Sequence, residues 1–95
     1  MENKKVLTAT KRTVVGKQVA ALRRIGQVPA VIYGGGNAAT LIQLEAHPAS
    51  LVINRMDKGN ELTLNVAGQT YDVKIKEIQR NAIRGDLLHL DFVMV

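Results

Sequence analysis

The amino-acid sequence predicts a small mixed-β barrel or sandwich carrying two short helices, and three observations carry that reading. Six or seven short segments with β-branched or alternating character outnumber two stretches of helix formers. The segments show no regular strand–helix–strand alternation, which argues against a parallel doubly wound sheet. The chain has 95 residues, enough for one small core and no more; about 60–65% of the unfolded surface is buried at this size. No internal repeat, linker or low-complexity stretch divides it, so residues 1–95 read as a single domain.

The elements follow in order. Val6–Arg12 (VLTATKR) alternates and is β-branched, as a strand should be. Gly16 breaks it. Lys17–Ile25 (KQVAALRRI) is rich in helix formers and sets Val19, Leu22 and Ile25 on one side. Gly26 suits the position just past its C-terminus. Val28–Tyr33 (VPAVIY) is an apolar strand, with Pro29 restricted to its start or to an edge. Gly34-Gly35-Gly36-Asn37 is a loop, and Thr40–Glu45 (TLIQLE) the next strand. His47-Pro48 looks like a helix entry with Pro48 at the first helical position. Ala49–Met56 continues that helix, with Leu51, Val52 and Met56 expected inside.

Glu61–Val66 and Gln69–Glu77 flank Ala67-Gly68 and alternate in step, a two-residue hairpin with one dry and one wet face. Gly68 is the expected permissive position; Ala67 leaves the turn type open. Ile78–Gly85 reads as irregular and Leu87–Val95 (LLHLDFVMV) as the closing strand, with Phe92, like Tyr71 before it, expected in the core.

Charge is the first functional signal. Thirteen Lys and Arg against eight Asp and Glu leave +5. Residues 1–26 hold seven basic groups (Lys4, Lys5, Lys11, Arg12, Lys17, Arg23, Arg24) against Glu2 alone; the remaining residues hold six basic and seven acidic groups. The whole excess therefore sits in the first quarter of the chain. Localised positive charge is the footprint of a polyanion-binding surface. The plainer alternatives are a solvated basic face and, for Arg23 and Arg24, C-terminal helix capping.

Catalytic and metal chemistry find little support. The chain has no Cys, which excludes disulfides, thiolate metal sites and a cysteine nucleophile and fits a reducing cytoplasm. His47 and His89 are the only histidines, too few for a zinc site even with Asp91 added. The glycine run lacks the Lys-Ser/Thr of a phosphate loop. Ser50, the only serine, lies in a predicted helix and not on a nucleophile elbow. The expectation is no enzyme, no cofactor and no small-molecule substrate. No apolar run approaches the roughly 20 residues of a membrane span.

Aromatic residues are scarce: Tyr33, Tyr71 and Phe92. Tyr33, beside the glycine loop, is either an exposed ring or a barrel-end core residue. A nucleic-acid contact made by this chain should therefore rest on phosphates and groove edges more than on base stacking, which suits a folded, largely double-helical RNA. The groups available are Arg12, Lys17, Arg23, Gln79, Arg80, His89 and Asp91. His89 and Asp91, two apart on a strand, share a face. A carboxylate accepts hydrogen bonds from base amino groups, which no lysine can do. The alternatives are a half-buried strand residue for His89 and a structural partner of Arg80 or Arg84 for Asp91.

The stretch Gly16-Lys17, then Leu22-Arg23-Arg24-Ile25-Gly26-Gln27-Val28-Pro29-Ala30-Val31-Ile32-Tyr33-Gly34-Gly35, resembles the opening signature of a bacterial ribosomal family. This is the 5S rRNA-binding large-subunit protein twenty-five family, related to the Ctc general stress proteins. Ile78-Gln79-Arg80 and His89-Leu90-Asp91-Phe92 resemble its closing signature. The resemblance is collinear over nearly the whole chain. It implies a closed six-stranded barrel with two short helices and no enzymatic activity. It also implies binding to the distorted duplex around loop E of 5S rRNA, in the cytoplasm as part of the large ribosomal subunit, with the free protein a monomer. Carried over by match, Arg12, Lys17, Arg23, Tyr33, Gln79, His89 and Asp91 fall at RNA-facing positions, with Arg80 a weaker inclusion. Ala20-Ala21 and Asn81-Ala82 depart from the family pattern, and the length resembles the short single-domain form. The competing expectation is a stress-related protein-interaction module whose basic face meets an acidic protein without touching RNA.

Overall fold

The computed structural model describes residues 5–11, 23–34 and 39–95. Six strands, β1 (Val6–Lys11), β2 (Gln27–Tyr33), β3 (Thr40–Glu45), β4 (Glu61–Val66), β5 (Gln69–Arg80) and β6 (Leu87–Met94), close into a barrel in the order β1-β3-β2-β6-β5-β4. One helix, α1 (Ala46–Ile53), follows β3. Arg23 and Arg24 are helical and lead through Ile25 and Gly26 into β2. Arg12, Lys17 and the rest of the predicted first helix lie outside the described residues.

Closure needs two parallel seams, β1 with β4 and β2 with β6; the other four ladders are antiparallel. It leaves the sheet without a free edge. Alternation along each strand sends one set of side chains inward. Ala30, Ile42, Leu62, Leu64, Val73, Leu90 and Phe92 are fully buried in one continuous core, and no polar or charged residue is buried among those described. Burial of each large side chain is worth about 1.5–3 kcal/mol. Pro29 is the third residue of β2 and pairs with Gln43 in the β2–β3 ladder, but it precedes the β2–β6 ladder, which begins at Ala30 and so loses no N–H to it.

Several boundaries differ from the sequence expectation for identifiable reasons. Helix α1 starts at Ala46, so Pro48 is its third residue and not its first. Proline is tolerated there because N–H groups of the first turn have no intrahelical acceptor. Helical periodicity turns Ala49 and Ile53, four residues apart, into the core, with Val52 and Met56 packed at its margin, and leaves Leu51 59% exposed. In the β4–β5 hairpin, Ala67 (φ 53°) and Gly68 (φ 86°) both adopt positive φ, the pattern of a type I′ turn. Strand β5 runs on to Arg80 where an irregular segment was expected after Glu77. A register shift between Ile75 and Glu77 explains the continuation: it inserts one residue and brings Ile78 opposite buried Leu90. Tyr71 is only half-buried, with its hydroxyl donating to Gln69 Oε1 at 2.9 Å.

Candidate nucleic-acid interface

Strand β6 lies between β2 and β5. Leu90 and Phe92 point inward, so His89, Asp91 and Val93 face outward. The registers place Val31 and Tyr33 of β2 beside Asp91 and Val93. They place Gln79, Glu77 and Lys74 of β5 beside His89, Asp91 and Val93 on the other flank. This outer face collects Tyr33, Gln79, His89 and Asp91 from three strands.

Two bulges shape it. At the first, Ile75 pairs with Phe92 and Glu77 with Asp91, so Lys76 is the extra residue and both Lys76 and Glu77 face outward. Lys76 Nζ sits 4.5 Å from the centroid of the Tyr33 ring. Glu77 stands opposite Asp91, a like-charge pair that is unfavourable across a ladder; Lys58 Nζ, 2.9 Å from Glu77 Oε1, offsets it. At the second, Gln79 pairs with His89 and Arg80 with Leu87, which makes Leu88 the extra residue on β6. Bulged residues drop out of the ladder, and the Leu88 carbonyl accepts from Arg23 Nε at 2.9 Å. A residue of the basic first quarter is thereby fixed beside His89, 65 positions from its acceptor.

His89 Nδ1 and Asp91 Oδ1 are 3.1 Å apart, with side chains 23% and 19% exposed. Asp91 Oδ1 is shielded from solvent and, despite the short separation, has no aligned hydrogen bond. Because Oδ1 is shielded, the 19% exposure of the Asp91 side chain lies elsewhere on it, and that part is what an incoming donor would meet. Asp91 is not paired with either arginine considered for it: Arg80 Nη1 donates to Asn54 Oδ1 at 2.7 Å, and Arg84 Nε lies 3.1 Å from Asp86.

Of the eight residues singled out from sequence, Arg23, Tyr33, Gln79, His89 and Asp91 converge on this face. Arg80 stands at its margin, tied to the residue that ends α1. Arg12 and Lys17 lie outside the described residues. Tyr33 is half-buried at the barrel end with a lysine over its ring, and so combines features of the two environments expected for it. Lys76 was not singled out. Its signal, an outward position on the wet arm of the hairpin, was present, but its approach to Tyr33 depends on strand order and on the bulge. No group of three or more residues able to hold a metal ion occurs among those described.

The model of the Ribosomal L25p family matches residues 7–92. The large ribosomal subunit protein bL25 of Stutzerimonas stutzeri is 44% identical over 94 residues, which cover 94% of this chain and 45% of that protein. The bL25 proteins of Aeromonas salmonicida and Vibrio atlanticus are 39% and 41% identical; the matches cover 95% and 92% of this chain and 97% and 96% of those proteins. The chain thus spans under half the length of the first of these relatives and nearly all of the other two.

Proposed function

The chain belongs to the Ribosomal L25p family, and on that footing we propose that it is a structural, non-catalytic protein of the large ribosomal subunit that binds 5S rRNA in the loop E region through the outer face of β2, β6 and β5. The observation that carries the reading is the hydrogen bond from Arg23 to Leu88, which joins the basic quarter of the chain to the His89–Asp91 stretch. Arg23 uses one of its five N–H donors there and keeps four for phosphate. Gln79 and His89 offer groups suited to base edges and 2′-hydroxyls, and Asp91 offers an acceptor for base amino groups. In this reading the protein works in the cytoplasm as a part of the ribosome, without a cofactor. Arg12 and Lys17 add phosphate contacts by family match.

Gel-shift titration of 5S rRNA at several salt concentrations, paired with nuclease footprinting, tests the proposal. The expected result is protection of the loop E duplex and a log K against log salt slope of about −3 to −5, corresponding to four to six neutralised phosphates. Absence of binding, a flat slope or protection elsewhere overturns it. Retention of an acidic protein partner after ribonuclease digestion, with no RNA bound, would favour the protein-interaction alternative.

A further inference from the structure

The cation over Tyr33 carries an inference that rests on the RNA-binding reading and deepens it. An extended strand covers about 3.3 Å per residue, so Leu88, which anchors Arg23, and Val93, which neighbours Tyr33, are about 17 Å apart along β6. One end of the face thus carries a fixed guanidinium and the other an ammonium, with Gln79, His89 and Asp91 between them. A nucleic-acid groove has the matching order: phosphates on either side and base edges or 2′-hydroxyls in the middle.

We propose that Lys76, held over the Tyr33 ring by the β5 bulge, is a second phosphate-binding position for the RNA, and that Tyr33 serves as its pedestal and not as a platform for a stacked base. One face of the ring is already occupied by Lys76 Nζ at 4.5 Å. A ring beneath an ammonium attracts it without pairing it to an acceptor atom, so the N–H groups turned away from the ring stay available to phosphate oxygens. The ring also narrows the range of lysine conformers before binding, which lowers the entropy lost when the phosphate arrives. The bulge is essential to this placement, because it sets Lys76 and Glu77 together on the outer face. Glu77 is paired with Lys58 at 2.9 Å, and Lys76 is directed to the Tyr33 ring instead.

The test is a double-mutant cycle on the full chain, read as 5S rRNA affinity against salt concentration. Lys76→Gln should make the log–log slope shallower by about 1 and weaken binding about eightfold at 0.1 M salt relative to the 1 M extrapolation. Lys76→Arg should retain most of the affinity. Arg55→Gln, an exposed charge change just beyond α1, should leave the slope as it was. Tyr33→Leu should weaken binding in the parent and much less in the Lys76→Gln background, with folding of each variant checked by circular dichroism. If the parent binds and Lys76→Gln changes neither slope nor affinity, the phosphate position is rejected while the RNA-binding reading stands. If Lys76→Gln has its effect but the two substitutions simply add, Tyr33 is no pedestal. If the parent does not bind 5S rRNA at all, the underlying reading fails.

Discussion

Asp91 keeps Oδ1 shielded 3.1 Å from His89 Nδ1, while its side chain stays 19% exposed opposite Glu77. In the proposed binding mode the exposed part of the carboxylate accepts from a base amino group, so Asp91→Ala should weaken 5S rRNA binding by about 1–3 kcal/mol at constant salt slope; unchanged affinity in the gel shift would remove the carboxylate from the binding mode. Arg80 behaves differently, because one Nη already donates to Asn54 Oδ1 at an exposed site. Arg80→Ala should lower unfolding stability by less than about 1 kcal/mol and cost less RNA affinity than Arg23→Ala, as denaturant melts and gel shifts together would establish. The shared face of His89 and Asp91 was legible from their spacing alone, since strand periodicity is local. The Arg23–Leu88 and Lys76–Tyr33 contacts were not, since each joins segments far apart in sequence and neither partner advertises the other.

At the scale of elements, the β4–β5 hairpin and the closing strand could be read from alternation, whereas phase changes inside a strand could not. Ile75 and Ile78 are three apart yet both turn toward the interior, a spacing that looks irregular until the bulge at Lys76 is known. The helix after β3 was expected, and Val52 and Met56 do pack against the core, but Leu51 is exposed and Ala49 and Ile53 were missed. Ala49, Val52, Ile53 and Met56 share one helical face and Leu51 falls off it, a distinction that an apolar sequence such as ASLVI hardly marks. The hairpin turn supplies a prediction of the opposite sign from most substitutions. Ala67 is held at φ 53°, where a Cβ is unfavourable. Ala67→Asn should therefore stabilise the barrel by about 1 kcal/mol in urea titration, since Asn-Gly is a preferred type I′ pair; a lower unfolding midpoint would refute the turn assignment. Leu64→Ala, at a fully buried position in β4, should destabilise by about 2–5 kcal/mol in the same assay.

For the whole molecule, barrel closure does the positioning. The two parallel seams were invisible in sequence, and one of them, β2 with β6, sets Tyr33 beside the outward side of the last strand. The barrel also separates two walls, because β1 lies across from β6 in the closed order. RNA on the β2–β6–β5 wall would stay clear of the opposite side of the barrel around Thr8, Thr63 and Asn65. Backbone amide NMR shifts, followed while a 5S rRNA fragment containing loop E is titrated into the labelled protein, test it directly. Large shifts are expected at Arg23, Tyr33, Lys76, Gln79, His89 and Asp91, with Thr8, Thr63 and Asn65 nearly unmoved. Shifts concentrated on β1 and β4, with those six residues silent, would contradict it.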